Sequence, residues 1–543
     1  MIFKPFQVDD KNKLFQDYLQ NFEKVKSFYP HYYQGEWPAI FKERSAMDYP
    51  REDLYRILMD QNLHWNAPFP VLENIKKLRE PNTFAVVTGQ QAGVFGGPLY
   101  TVYKSMTVLK LTNFLQTQYP QFQFVPVFWM EIDDNDFQEI NSIQYIDKDN
   151  QLRKLQLEEA PAEVLQPIFS RKIPANLQEW KEKLHSDFFD TEFKAEVLET
   201  FFEIYSAGQT FENAFARLLL KLLGRKGLIM FNPVIFPAKK LVKSLIRKTL
   251  LEAEEILRTV QSRNEEIEKA GYHSQIRLKQ NQTLLFFLDD RTRRVRVDHE
   301  NGQYSLNTPE GPQKIATEAL LQMVDHETER FSPNVALRPL IQDSLLPTAA
   351  YVAGPAEIAY FAQLSGLYEY FKIPMPCICP RHRITIVERN IRRLIKKLEL
   401  RYEEIFEKKG ELIEFYLTCR SDDPVLVEME KLRELLSRKI EDFEPLIRQF
   451  DPTLLNSLQQ TGASIEKSLN KLQHKIVRSY ETREKNLVRQ LEKIIVHLMP
   501  NNNYQERELN ILPYLIKYGW NYLDEIFDAL PVDTTPHYIG EAE

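Results

Sequence analysis

The chain has 543 residues, 43% hydrophobic and 27% charged. That is ordinary globular composition and excludes a wholly disordered chain; at about 150 residues per domain it has room for roughly three or four domain-sized units. With 70 basic against 77 acidic residues the formal charge is -7, so a general polyanion-binding surface, and nucleic acid as a partner, are not expected.

No run approaches the ~18 apolar residues of a membrane span, and the start, MIFKPFQVDDKNKLF, has an acidic turn where a signal peptide needs an apolar core. The expectation is a cytoplasmic protein without a membrane partner. The only cysteines, Cys377, Cys379 and Cys419, are too few for a disulfide scaffold.

The aromatic segments YLQNFEKVKSFYPHYY and DLYRILMDQN predict helices packed beside a sheet. Residues 83–89, TFAVVTG, read as a buried strand, and helical periodicity begins near Leu99. Residues 122–130, FQFVPVFWM, read as a second strand ending in DDND. Strand, glycine loop, helix and strand make a βαβ unit with a parallel sheet. FENAFARLLLKLLGRKG reads as an amphipathic helix capped at Gly227, followed by a buried strand in GLIMFNP. Between Gly271 and Leu306 the period falls to two, predicting a small antiparallel sheet with turns at Asp289-Asp290 and Asn301-Gly302. A strand near 348–352 breaks at AGP before a helix around Glu357, and IPMPCICP gives another short strand.

Beyond Arg383 the pattern becomes helical. Residues 384–409 read as one helix and 425–447 as a second, striped by Met429, Leu432, Leu436, Ile440, Phe443 and Ile447. A third runs from Ile465 to Leu498 with a four-residue stutter through Ile476, Tyr480 and Glu484. Narrow apolar seams with charged flanks predict an antiparallel helical arm, dimerising or rigidly structural, with an ordinary bundle as the alternative. The aromatic end, YQERELNILPYLIKYGWNYLDEIFDAL, should dock on the globular body.

Two stretches carry chemistry. In TGQQAGVFGGPLY, residues Thr88, Gly89, Gln90, Gln91, Gly93, Gly96 and Gly97 follow a strand, where small residues let backbone amides approach an anion. A tight structural turn is the other use of such a loop. In the second, Asp133, Asp134, Asn135, Asp136 and Glu139 follow the next strand, and in an open parallel sheet ligands sit at the carboxyl ends of strands. Adjacent carboxylates there orient an amine, hold Mg²⁺ or act as a base; the alternative is a solvated acidic turn. Arg338, with Gln342 and Asp343, suits carboxylate or phosphate recognition. Glu357 either caps its helix or reaches into the same cleft. Tyr272, His273 and Gln275 lie in a turn, where a lone histidine is more often structural. The CxC pair in an apolar strand reads as two buried thiols rather than a zinc site or a nucleophile.

TGQQAGVFGGPLYTVYK, PVFWMEIDDNDFQEIN, GYHSQI, FSPNVALRPLIQDSLLPTAAYVAGPAEIAYFAQL and YQERELNILPYLIKYG resemble, in order and over essentially the whole chain, the bacillithiol biosynthesis cysteine-adding enzymes. The resemblance implies an α/β fold: a Rossmann-like parallel-sheet core with inserted connecting subdomains and a C-terminal antiparallel coiled-coil arm that pairs two subunits. The expected divisions are 1–150 and 331–383 for the core, 151–330 for the insertions, 384–500 for the arm and 501–543 for the docking segment. It further implies a ligase joining L-cysteine to the amine of glucosaminyl malate, the last step of bacillithiol synthesis, with ATP or ADP as cofactor; Mg²⁺ is the companion ion that the acidic stretch could hold.

On that resemblance Asp133, Asp134, Asp136 and Glu357 are the catalytic candidates. Thr88, Gly89, Gln90, Gln91, Gly93, Gly97, Tyr100, Asn135, Tyr272, His273, Gln275, Asn334, Arg338, Gln342, Asp343 and Gly354 are the binding candidates. In this reading the loop holds an anionic part of substrate or nucleotide, the aspartates position the amine or Mg²⁺, Arg338 holds malate carboxylates or a phosphate, and Glu357 is a reserve base. Two features depart from the family pattern: Asn135 stands where a histidine is usual, and Ala353 and Ala356 stand where glycine is common. These leave open another amino-acid-adding or nucleotidyl-transferring enzyme, or a non-catalytic binding dimer.

Overall fold

The computed structural model describes residues 1–7, 12–419 and 424–542. The chain divides into two units: Met1–Thr385 with Glu506–Glu541, and Ile386–Gln505 with Ala542.

The first unit is built on five strands: β1 (Thr83–Gln91), β2 (Gln123–Glu131), β3 (Ile229–Phe231), β4 (Thr348–Ala353) and β5 (Cys377–Pro380). They lie in the order β5-β4-β1-β2-β3, every neighbouring pair parallel. A parallel sheet covered on both faces needs apolar side chains at successive positions, which is why these strands read as continuous runs rather than alternations. Phe84, Ala85, Val86 and Val87 are all fully buried. The β1–β2 register runs from Thr83 opposite Gln123 to Gln91 opposite Glu131, so the two strands end level.

Helix α1 (Leu99–Gln118) connects β1 to β2 and is buried on most of its faces. Helices α2 (Phe236–Leu241), α3 (Arg338–Leu345) and α4 (Pro355–Phe371) flank the same strand ends. The exposed edge of β3 is closed by side chains of the Arg51–His64 helix. Asn62 Nδ2 donates to Met230 O and its Oδ1 accepts from Met230 N–H, at 2.8 and 3.1 Å; Gln61 treats Asn232 the same way, at 2.7 and 3.1 Å. Two amide side chains thus stand in for a missing strand.

Strands Gln282–Leu288, Arg294–Glu300, Gln303–Thr308 and Gly311–Ile315 form an antiparallel meander, and Phe331–Pro333 adds to its first strand. Asn301 and Gly302 both have positive φ, 51° and 76°, as a tight two-residue hairpin turn requires. The other turn is pinned by Asp289 Oδ1, which accepts from the Arg291 and Arg293 amides at 2.9 Å.

The single helix expected over 384–409 is not formed. Arg383–Val387 is a strand, Arg389–Lys397 and Tyr402–Lys408 are separate helices, and Glu399 has a φ of 52° between them. The β-branched run ITIV explains the first break: its side chains favour extended backbone. Gln505 completes it, accepting from Ile386 N–H at 2.8 Å and donating to Ile386 O at 2.9 Å. Helices Pro424–Phe450 and Leu455–Arg483 form an antiparallel pair across the short turn Pro452–Leu454. Arg433 ties them together through Glu466 at 2.8 Å. The third helix does not run unbroken through the stutter; it stops at Arg483 and restarts as Lys485–Leu498. Met429 of the stripe is buried, whereas Leu432 and Phe443 remain 41% and 49% exposed within one chain. Among the described residues, no helix is long and apolar enough to cross a membrane.

Candidate functional site

In the sheet order, β1 has its sequence successor β2 on one side and β4 on the other. At such a reversal the connections leave to opposite faces, opening a crevice beyond the carboxyl ends of the strands. Its floor is a chain of buried charges. Lys104, projecting from α1, places Nζ 2.5 Å from Glu357 Oε2 and donates to Gly89 O and Gln90 Oε1 at 2.9 and 3.0 Å. Glu357 Oε1 accepts from the Tyr351 hydroxyl at 2.9 Å, and that hydroxyl accepts from Arg338 Nη2 at 3.2 Å. Arg338 also donates to Gln342 Oε1 at 3.0 Å, and its Nε lies 3.3 Å from Glu131 Oε1. Burial pushes the Glu131 carboxyl up, a shift that Arg338 opposes.

Glu357 also accepts the Gly354 amide at 2.7 Å, closing the first turn of α4. Glycine has no side chain to reciprocate, so only the carboxylate half of a capping box exists here. Both expected uses of Glu357, capping and reaching into the cleft, are thus served by one side chain. Gly89 lies in the same crowding: a Cβ there would stand 2.6 Å from Glu131 Oε1 and 3.2 Å from the Tyr351 hydroxyl.

The acidic turn after β2 is sorted by its partners. Asp133 pairs with Lys239 of α2 at 3.2 Å through both carboxylate oxygens. Asp134 Oδ1 accepts from Arg294 of the inserted sheet at 3.1 Å and from the Asn135 amide at 2.8 Å. The Asn135 side chain turns away and donates to Val164 O at 3.1 Å. Asp136 is exposed. Gln91 spans from β1 to this turn, donating to Glu139 Oε2 at 2.9 Å and approaching Asp134 Oδ2 at 3.5 Å. Solvent reaches Glu139. Its carboxyl is nonetheless pushed up to about 7, first by partial desolvation and then by Glu131, Asp136 and Asp134.

The glycine loop is occupied by the protein itself. Residues 92–97 are buried, and Gly96 and Gly97 have φ of 84° and 71°. The Gly93, Gly97 and Leu99 amides donate to Gln91, Val94 and Leu509 carbonyls, and Gly96 N–H to Gly93 O. Asn510 donates to the Phe95 and Gly97 carbonyls at 2.9 and 2.7 Å. Phe95 inserts edge-on among Trp180, Phe201, Phe202 and Tyr205. A parallel sheet of this order is in general a nucleotide-binding architecture. This loop, however, offers no open row of amides, and Asp133 and Asp134 are already ion-paired. As arranged, these residues do not fit a triphosphate with Mg²⁺.

Of the other expected residues, Tyr100 borders the crevice and its hydroxyl accepts from Gln90 Nε2 at 3.2 Å; burial, then Glu139, pushes this phenol up. Thr88 is internal, donating to Val352 O at 2.8 Å. Asn334 precedes α3 and accepts from the Ala336 and Leu337 amides. Asp343 accepts from Gln342 and Tyr368 at 2.9 and 2.5 Å behind the sheet ends. Tyr272 joins Asp17 at 3.0 Å instead of the acidic turn, while His273 and Gln275 are exposed. Neither Ala353 nor Ala356 has positive φ, so alanine is unstrained at both positions.

Glu139, named with the acidic stretch, belongs to the site, and Lys104, Glu131, Tyr351, Lys239 and Arg294 complete it without having been among the sequence candidates. Lys104 had a signal, a lone charge inside the apolar helix TVYKSMTV. Arg294 and Lys239 had none, because only folding brings them to the turn.

A family model described as "Bacillithiol biosynthesis BshC, N-terminal Rossmann-like domain" matches residues 1–382, and one described as "Bacillithiol biosynthesis BshC, C-terminal coiled-coil domain" matches residues 384–541. A Salinibacter ruber protein named "Putative cysteine ligase BshC" is 33% identical over 533 residues, covering 97% of this chain and 95% of its own. Proteins of the same name from Chlorobaculum tepidum and Koribacter versatilis are 32% and 30% identical; they cover 92% and 96% of this chain and 90% and 96% of their own lengths. Two models matched end to end, over the Rossmann-like sheet and the long helices respectively, and relatives a third identical along their full lengths leave one conclusion: this chain belongs to the bacillithiol biosynthesis BshC family.

Proposed function

We propose that this protein joins the carboxyl of L-cysteine to the amine of glucosaminyl malate, the final step of bacillithiol synthesis. The observation that carries the reading is the full-length match to relatives named cysteine ligases, and the carboxylate-rich crevice at the strand reversal supports it. Amide formation from a carboxylate requires prior activation, because the carboxylate anion is a poor electrophile in water. The glycine loop and the ion-paired aspartates do not fit a triphosphate with Mg²⁺, so the activating reagent is left to the ATP-dependence of turnover to identify.

The chain's own residues have separate tasks. The Lys104–Glu357–Tyr351–Arg338–Glu131 network fixes the floor in a water-poor setting, where preorganised charges act strongly. Asp134, held by Arg294, presents its second oxygen to the incoming amine. Residues Leu432 and Phe443, half exposed on the arm, support pairing of two copies through that arm.

The test incubates the full-length protein with cysteine, glucosaminyl malate, ATP and Mg²⁺, follows the thiol product by mass spectrometry, and runs ATP-free samples in parallel. ATP-dependent product supports the reading, and the co-product, ADP or AMP, names the activated intermediate. Product without ATP excludes ATP as the activating reagent. No product from folded protein favours the second reading, a non-catalytic binding dimer. The observation on that side is Asn135, whose side chain is committed to Val164 O and has no group able to shuttle a proton.

A further inference from the structure

Five cations around the crevice are matched with carboxylates. Lys239 pairs with Asp133, Arg294 with Asp134, Arg338 with Glu131, Lys104 with Glu357, and Arg381 with Glu506 at 2.6 Å. Two carboxylates are left over. Among the described residues, neither Asp136 nor Glu139 has a cation within ion-pair distance. The mouth therefore carries two carboxylates that no ion pair neutralises.

An acidic turn alone is commonly just solvated. Here a second group points to a ligand. Gln91 is 92% buried, and its Oε1 has no hydrogen-bond donor, although its Nε2 is fixed on Glu139 and Asp134. With Glu139 ionised, the state in which it can take up a proton, turning the amide over would set Oε1 against two carboxylates, so its orientation in that state is determined. A buried acceptor left without a donor costs about 1–3 kcal/mol. Gln91 Oε1, the Asp134 carboxylate and the Glu139 carboxylate are all acceptors grouped about one amide. What satisfies acceptors of negative charge is a ligand with several N–H donors, no acceptor and a positive charge. A primary ammonium group has that chemistry.

We propose that Gln91, Asp134 and Glu139 form a subsite for the primary ammonium group of the acceptor sugar, and that Glu139 takes the proton this group must lose before it can attack a carbonyl. One N–H bond breaks, one O–H bond forms on Glu139, and the electron pair stays on nitrogen. The inference rests on the cysteine-ligase reading for the identity of the sugar, but not for the ammonium chemistry. The groups facing Glu139 suit a proton acceptor. Gln91 comes from β1, Glu131 from the end of β2, Asp134 and Asp136 from its own turn, and Lys104 and Tyr100 from α1. Partial desolvation first, and then three carboxylates against one lysine, hold its carboxyl up to about 7, where it exchanges protons near neutral pH.

The experiment is calorimetric titration of the full-length protein and its Glu139→Gln variant with glucosaminyl malate and with the N-acetyl derivative of glucosaminyl malate. It is run at pH 7 in two buffers of different ionisation enthalpy. Glu139 is exposed, so the variant should fold normally. The wild type is expected to prefer the free amine at least tenfold and to release about half a proton on binding it, as a half-protonated acid does when a cation docks beside it. In Glu139→Gln the preference and the proton release should both vanish, and kcat should fall by roughly 100-fold. Equal wild-type affinity for the two compounds, or a preference surviving in the variant, overturns the subsite; a fall in kcat of less than tenfold overturns the proton transfer. Should the wild type bind neither compound, the sugar assignment fails. Glucosamine against N-acetylglucosamine then decides the ammonium subsite separately: preference for glucosamine keeps it, and equal or absent binding overturns it.

Discussion

The Lys104 ammonium and the Glu357 carboxylate meet at 2.5 Å, joining the crossover helix after β1 to the first turn of the helix after β4. Each stands on one side of the strand reversal, so the pair fastens the two halves of the sheet at the point where the crevice opens. Both side chains are largely out of solvent, 3% and 17% exposed. Removing one partner of such a pair strands a charge and costs roughly 3–5 kcal/mol, whereas replacing both is far better tolerated. Lys104→Met should lower stability by that order in chemical denaturation, and Lys104→Met with Glu357→Met should regain most of it. A single variant as stable as the wild type contradicts this account.

Gly89 offers a sharper separation of activity from stability. The Cβ of Gly89→Ala would meet Glu131 Oε1 at 2.6 Å, the far end of a side chain that can swing aside. The fold should survive with a change in melting temperature of a few degrees at most. The displaced carboxylate loses its Arg338 contact, and kcat/KM should fall at least tenfold. Parallel thermal melts and steady-state assays measure both quantities on one preparation.

The acidic turn predicts unequal roles for adjacent residues. Asp134 faces the crevice and is steadied by Arg294, while the Asn135 side chain is tied to Val164 O. Asp134→Ala should abolish turnover, at least 100-fold, without changing the oligomeric state seen in gel filtration. Asn135→Ala should cost less than tenfold in kcat. Comparable losses from the two would show that Asn135 enters the chemistry.

Stability should fall with acid through two buried imidazoles. His382 sits between the Thr107 hydroxyl and Pro531 O, both at 2.8 Å, and burial pushes it down to about 4. His537, against the Thr385 hydroxyl at 2.9 Å, is pushed down to about 3 for the same reason. A histidine whose folded pKa is depressed contributes stability that is fully present above its unfolded value near 6.5. That stability is lost as pH falls toward the folded value, because the unfolded chain takes up the proton first. For His382 the window from 6.5 to 4 is worth on the order of 3 kcal/mol. Melting temperature should therefore drop between pH 7 and pH 5, and His382→Gln should flatten part of that slope. An unchanged slope means the loss comes from other groups.

Much of this architecture lay in local pattern. TFAVVTG, FQFVPVFWM and GLIMFNP are apolar at successive positions because both faces of a parallel sheet are covered, and each is found in a strand. Period-two alternation and Asn301-Gly302 marked the inserted hairpin for a similarly local reason, the left-handed backbone of its turn. The helical reading failed at 384–409, where β-branched residues and the Gln505 side chain favour a strand.

Sequence alone was enough for the core strands and their connecting helix, the family, and the two loops at the mouth of the sheet. These follow from periodicity and from motifs that a few consecutive residues carry. Which atoms meet in the crevice was decided only by the tertiary structure. Lys104 with Glu357, Asp134 with Arg294 and Asp133 with Lys239 are pairs more than 100 positions apart, and no local pattern encodes them. The same holds for the glycine loop. Its composition permits amides to face a ligand, but Tyr205, Leu509 and Asn510, distant in the chain, take up its polar groups instead. Composition sets what a backbone is free to do, and packing from elsewhere in the chain selects what it does.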